Sequence, residues 1–257
     1  MRLVPLASGS KGNAALLEFG STRLLLDAGL SAKRLAVRLG EVGVAPRDIS
    51  AVLLSHEHED HTRGAELFSR RHGAPVACCW QTLEAMDRSP AHFTEWMSFN
   101  PGETFDVGDV KVLPFPVPHD AAKPVGFVIE GEGIRVGMVT DLGHATTLVL
   151  ERLRGCEVLM IESNHDDQML IDGPYPWHLK QRVSGRLGHL SNREAAEMLR
   201  HTAAENCRAV VLTHLSEKNN TPTLARQAAA GVLASNGNGR VEMRVASQTK
   251  PTPPVCL

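Results

Sequence analysis

Short apolar runs recur from one end of the chain to the other, and their length limits what the chain can build. RLVPLA (2–7), AALLEF (14–19), RLLLDA (23–28), AVLLS (51–55) and PVACC (75–79) come first. VKVLPF (110–115), GFVIE (126–130), IRVGMVT (134–140), EVLMIE (157–162), RAVVLT (208–213) and VEMRVA (241–246) follow. Each is too short for a buried helix and rich in Val, Ile and Leu. That predicts strands, several of them covered on both faces. Three longer segments have helical spacing instead. SAKRLAVRLGEV (31–42) sets Leu35, Leu39 and Val42 on one face, and TLARQAAAGVLAS (223–235) reads as another helix. SNREAAEMLRHTAAEN (191–206) opens with Ser191 and Glu194, a capping box ahead of a stripe of Ala195, Met198 and Leu199. Strands come first in clusters and then alternate with helices. The class is α/β, with two sheets and helices outside, in one domain over residues 1–248. The proline-rich tail TKPTPPVCL (249–257) is expected to lack regular structure.

The remaining global features narrow the setting. A formal net charge of −2 gives no overall attraction to polyanions, so any grip on one must come from a local patch. The N-terminus turns polar by Ser8, too soon for a signal peptide, and no apolar run approaches membrane-spanning length. Five scattered cysteines without a Cys-x-x-Cys pair fit reduced thiols. A cytoplasmic enzyme is expected.

Where AVLLS ends, SHEHEDHTRG (55–64) begins, placing His56, His58, Asp60 and His61 in six positions. Loops at strand ends are where a rigid scaffold presents chemistry. In extended chain His56 and His58 project to one side, and after a turn Asp60 and His61 can face a second point. Imidazole with carboxylate is a borderline ligand set suited to zinc, iron or manganese. The alternative is a solvated surface loop, but three histidines and an aspartate directly after a buried strand favour metal.

The segment resembles the His-x-His-x-Asp-His signature of metallo-β-lactamase-fold hydrolases. The family's later motifs have matches in the same order. His119 follows PFPVP, Asp141 ends VGMVT and His214 ends AVVLT. The resemblance implies an αβ/βα sandwich of two central mixed β-sheets flanked by helices. It also implies two divalent ions (zinc or manganese, with iron compatible), one held by His56, His58 and His119. Asp60, His61 and His214 would hold the other, and Asp141 would bridge them. Asp27, in LLLDAG, would support the metal loop from behind.

Departures from the pattern select a branch. Asp141 stands where secreted β-lactamases carry cysteine, and His58 where flavodi-iron oxidoreductases carry glutamate. Only 22 positions separate His119 from Asp141 and 73 separate Asp141 from His214. Neither leaves room for the arm of tRNA 3′-processing enzymes or the inserted domain of mRNA-processing nucleases. ASGSKGNA (7–14), IESNHD (161–166), YPWHLKQRVSGRLGHLSN (175–192) and THLS (213–216) are together similar to the YycJ/WalJ group. That group is regarded as single-strand nucleases or phosphodiesterases, so the implied partner is single-stranded DNA or RNA.

The residues themselves agree with phosphoester cleavage. Lys180, Arg182, Arg186 and Arg193 lie between positions 178 and 193 with no acid among them, a block able to grip phosphates. A solvated basic face is the competing reading. His189, Ser191 and Asn192 precede or open the 191–206 helix, where backbone N–H groups favour anions. From the tRNA-processing relatives His189 is the candidate general acid, with Asp60 or Asp141 orienting the nucleophile. Ser8, Ser10 and Asn13 in a glycine-rich turn are further substrate-binding candidates, as is His165, with His144 ranked below. Two rivals stay open: a small-molecule hydrolase of thioester or lactone type, and a metal-binding regulatory protein with little turnover.

Overall fold

The computed structural model of the chain describes residues 1–235 and 240–257. Among the described residues the strands form two seven-stranded sheets. The first contains β1 (Arg2–Ala7), β2 (Ala14–Phe19), β3 (Thr22–Leu26), β4 (Ala51–Leu53), β5 (Val76–Cys78) and β6 (Trp96–Ser98) in sequential order. The second runs through β7 (Phe105–Val107), β8 (Val110–Pro116), β9 (Val125–Gly131), β10 (Ile134–Val139), β11 (Val158–Glu162), β12 (Ala209–Thr213) and β13 (Glu242–Val245). The remaining strand of the first sheet is β14 (Val255–Cys256), beside β1. Each sheet mixes antiparallel hairpins with parallel pairs, β3-β4-β5-β6 in one and β10-β11-β12-β13 in the other.

Alternation explains why the apolar runs have no polar face. Leu24, Leu26, Ala51 and Leu53 point into the layer between the sheets, against Val112, Ile129, Met138, Met160 and Val211. Their neighbours Leu25, Val52 and Leu54 point outward, onto Leu35 and Leu39 of α1 (Ala32–Glu41). In the second sheet Leu159, Ile161, Val210 and Leu212 face outward too. They meet α5 (Thr147–Leu153), α8 (Asn192–Thr202) and α9 (Pro222–Ser235). Both sheets are therefore apolar on both faces, and the two-sheet α/β sandwich follows. The capping box of α8 forms in both directions, Ser191 N donating to Glu194 Oε2 (2.9 Å) and Glu194 N to Ser191 Oγ (3.2 Å).

The short helices α2 (Glu59–Thr62), α3 (Ala65–His72), α4 (Trp80–Ala85), α6 (Asp167–Asp172) and α7 (Trp177–Val183) lack enough turns for a readable period. The tail differs from its expectation. Val255 is fully buried between the sheets and pairs with Leu3, while Thr252 N donates to Pro5 O (2.9 Å). The open edge of β1 supplies backbone partners, and the prolines stop before the paired residues begin. No described helix is long and apolar enough to cross a membrane.

Candidate metal centre

The fold sends the carboxyl ends of β4, β8, β10, β11 and β12 to one rim, where open α/β sheets bind ligands. After β4 the chain makes a short bend and then the single turn of α2, with His61 N and Thr62 N donating to His58 O. That turn separates Asp60 and His61 from His56 and His58. The loop is held by backbone: Asn13 N donates to Asp60 O (2.7 Å) and Ala28 N to His61 O (2.7 Å). Gly29 makes this approach possible, because a Cβ there would sit 1.6 Å from Asp60 O.

Two donor groups converge. His58 Nδ1 lies 3.0 Å from His56 Nε2 and 3.4 Å from His119 Nε2. Asp60 Oδ2 lies 3.6 Å from both His61 Nε2 and His214 Nε2. Asp141 stands between them, Oδ2 at 3.0 Å from His61 Nε2 and Oδ1 at 3.7 Å from His119 Nε2. A tetrahedral shell with bonds near 2.1 Å separates its donors by roughly 3.4 Å, which these spacings match.

Hydrogen bonds fix four of the five candidate ligand rings. His56 Nδ1 donates to Ser55 Oγ (2.9 Å), His61 Nδ1 to Asp27 Oδ2 (2.7 Å), His119 Nδ1 to Gly188 O (3.0 Å) and His214 Nδ1 to Glu162 Oε1 (2.9 Å). In the neutral imidazole each leaves Nε2 as the lone-pair nitrogen, the arrangement that metal-ligating imidazoles adopt. Asp27 and His214 hold left-handed backbone, φ 59° and 54°. For non-glycine residues that is strained, and it persists only when the surroundings fix it. His214 is fixed at both ends of its backbone: its N–H donates to Ser8 Oγ (2.7 Å) and its carbonyl accepts from Asn164 Nδ2 (2.9 Å).

The electrostatics call for positive charge. Burial opposes protonation of His61 and His214, yet both are raised, His214 to about 10, chiefly because Asp141 and further carboxylates face them. At His56 and His119 burial, helped by neighbouring imidazoles, outweighs the pull of Asp141 and lowers both. Burial also works against the charged form of Asp141, but His214 and His61 hold it well below the usual carboxylate range. Asp141 Oδ2 is buried and has no hydrogen-bond partner, despite its nearness to His61 Nε2. An unpaired carboxylate oxygen among imidazole lone pairs suits a cation better than a proton. The residues present fit divalent metal.

Beside the donors lies a cleft of about 240 Å³. His189 lines it, with Nδ1 donating to Glu162 Oε1 (2.7 Å) and Nε2 left over. Burial disfavours its charged form, but Glu162 more than compensates and raises it. Glu162 has no exposure and serves four groups, the two imidazoles plus Leu142 N and Leu190 N (3.0 Å each). It is not among the residues the motifs single out, although a carboxylate closing the buried run EVLMIE is itself a signal. Asp120 is a second such residue. Its Oδ2 accepts from Arg182 Nε (2.7 Å) and its Oδ1 lies 3.3 Å from His119 Nε2.

The expected substrate-binding residues divide. Ser10 and Arg182 line the cleft. Ser8 is buried under His214, and Asn13 is buried with Nδ2 at 3.3 Å from Asp60 Oδ2. Both hold the centre rather than reach out from it. His165, Ser191 and Asn192 are buried and do not line the cleft. Ser191 is occupied as the α8 cap, and Asn192 Oδ1 accepts from Ser163 Oγ (2.6 Å) and Asn220 Nδ2 (2.9 Å). Lys180 Nζ turns away to the carbonyl of Ile171. The basic block is partly answered as well, Arg193 Nε lying 3.3 Å from Asp167 and Arg186 Nη2 3.0 Å from His144.

Compared with known proteins, residues 22–215 match the family described as the beta-lactamase superfamily domain. The chain is 35% identical over 233 residues to exodeoxyribonuclease WalJ of Streptococcus pneumoniae, covering 89% of this chain and 87% of that one. Over 251 residues it is 32% identical to exodeoxyribonuclease YycJ of Bacillus anthracis, covering 97% and 95%. Among solved structures, the metallo-β-lactamase-fold protein YhfI of Bacillus subtilis superposes with a TM-score of 0.76 at 17% identity, over 98% of this chain and 99% of that one.

Proposed function

The chain belongs to the beta-lactamase superfamily and has its metallo-β-lactamase fold, and from that premise we propose a metal-dependent exonuclease acting on single-stranded DNA. The proposed ligand sets are His56, His58 and His119 for one divalent ion, and Asp60, His61 and His214 for a second. Asp141 is shared between them. The observation that carries the reading is the position of Asp141, whose two oxygens reach toward His61 and His119 while His189 stands 3.6 Å away over the same cleft. The relatives named exodeoxyribonuclease support DNA as the substrate class.

Bound divalent ions supply Lewis-acid charge and lower the pKa of water toward neutrality. The protein's own residues do the rest. Asp60 and Asp141 orient the attacking water from one side. Arg182, held by Asp120 at the cleft wall, offers its outer guanidinium nitrogens to a non-bridging phosphate oxygen. His189, whose proton affinity Glu162 raises, gives a proton to the departing sugar oxygen. Zinc and manganese both suit the donor set. Buried, unpaired Cys78, Cys79, Cys156 and Cys207 suit a reducing compartment, and we place the protein in the cytoplasm.

The test is a metal-reconstituted assay on end-labelled single-stranded DNA, duplex DNA, RNA and a nitrophenyl phosphodiester. Stepwise shortening of the single strand is the expected result. Cleavage of a thioester or lactone with no action on any strand would replace this reading with the small-molecule alternative.

A further inference from the structure

One wall of the cleft is apolar, and no step above uses it. Leu179 and Val183 stand four residues apart on α7 and share a face, and Tyr175, just before the helix, lines the same cleft. That face lines the cleft beside His189 and Arg182. Ser10, Asn164 and Ser216 line it as well and supply polar groups. The wall is tied to the catalytic loop, because His189 N donates to Val183 O (2.8 Å) and Asp120 N to Leu187 O (3.0 Å).

Tyr175 is half-buried there, yet among the described residues its hydroxyl has no hydrogen-bond partner and its ring packs on no other ring. Its backbone is rigid. Pro174 precedes it, and Pro176 restricts it to extended conformations and caps α7 with φ −64°. Below, Gly173 lies so close to the body of the protein that a Cβ would meet Asn219 Oδ1 at 2.3 Å. An aromatic side chain with two rotatable bonds on a restrained backbone offers contact area at low entropic cost.

We infer that Tyr175 is a stacking platform for the nucleobase next to the scissile phosphate, making it a specificity-determining residue for strands with an unpaired end. The inference rests on the nucleic-acid reading above and deepens it. A shared cleft and its size carry it. The ring shares a cleft with the phosphate-facing Arg182 and His189, and that cleft is smaller than the ~300–1,000 Å³ that encloses a whole small ligand. A cleft of that size takes part of one nucleotide, with the remainder of the strand lying outside. A paired base presents its face to its neighbours in the stack, so a duplex end must open before its base reaches the ring.

Tyr175 is the single tyrosine of the chain, so 3-fluorotyrosine gives the metal-loaded wild-type protein one fluorine resonance from this site. The probes are a hydrolysis-resistant phosphorothioate single-stranded DNA and the same strand made abasic at each end in turn. The resonance is expected to shift with the full strand and with one abasic strand, and to stay in place with the other. In binding measurements Tyr175→Leu weakens the full strand about 5- to 150-fold, the usual range for one stacked base, and Tyr175→Phe matches wild type. On the abasic strand that leaves the resonance unmoved, Leu and Tyr bind alike. A resonance that ignores a strand known to bind overturns the platform while leaving the nuclease reading intact. So does a Tyr175→Leu loss that is equal on every strand. If wild type binds no strand at all, both readings fall together.

Discussion

Nδ1 of His189 lies 2.7 Å from Oε1 of Glu162, and that same oxygen accepts from His214 Nδ1 at 2.9 Å. One buried carboxylate therefore sets the tautomer of a proposed metal ligand and of the proposed acid together. Glu162→Gln keeps the size of the side chain but removes its charge. It is expected to cost about 10- to 100-fold in metal affinity or activity, the range for outer partners of metal ligands. Isothermal titration with metal, run beside the strand-cleavage assay, checks this. Unchanged values in both would reduce Glu162 to a packing residue.

His189→Ala is expected to retain its metal and to lose ~10²–10⁴-fold in rate on DNA, where the leaving oxygen needs a proton. On a nitrophenyl phosphodiester, whose leaving group departs unprotonated, the loss should be small. Equal losses on both substrates with metal content intact would assign His189 to substrate positioning.

Asp141→Ala removes the oxygens that reach toward both donor groups. Elemental analysis should find about two metal equivalents per wild-type chain and fewer in the variant. Retention of both ions by the variant would dismiss the bridging role.

Activity on single strands should fall with salt, because each phosphate contact contributes roughly 0.7 to the log–log slope. Arg182 faces the cleft, whereas Lys180 bonds the Ile171 carbonyl. Arg182→Ala is therefore expected to weaken binding more than Lys180→Ala, with metal content unchanged in both. A flat salt response would take the basic block out of the binding surface.

Gly29→Ala forces a Cβ into the Asp60 carbonyl. The loop carrying four proposed ligands has to shift, so metal affinity should drop sharply while far-UV circular dichroism stays close to wild type. Gly40→Ala, where a Cβ meets nothing, is the control.

How much of this is legible in the chain depends on how chemistry constrains residue type. The candidate ligands are readable because metal binding demands His and Asp at strand ends, and strand ends show as the close of apolar runs. Glu162 ends such a run as well, but its role depends on two histidines 27 and 52 positions away. Spacing alone does not carry that. Ser191 and Asn192 read as a helix start, which the fold bears out, and as substrate contacts, for which their side chains are not free. The cap and the Asn220 network consume them, and burial is a property of the folded neighbourhood. The strand at Val255–Cys256 is not legible because two residues carry no period, and only the free edge of β1 gives them a place.

The candidate ligands are split between the two sheets in a way that reaches beyond chemistry. His56, His58, Asp60 and His61 hang from the first sheet, and His119, Asp141 and His214 from the second. Each ion held as proposed is a rivet across the seam. Metal that binds only the closed sandwich adds RT ln(1 + [L]/Kd) to its stability, about 2.7 kcal/mol at a hundredfold excess over Kd. Chelation should then lower the melting temperature as well as the rate. The traffic runs both ways: a cavity cut into the layer between the sheets, such as Met160→Ala, should loosen metal held at the rim.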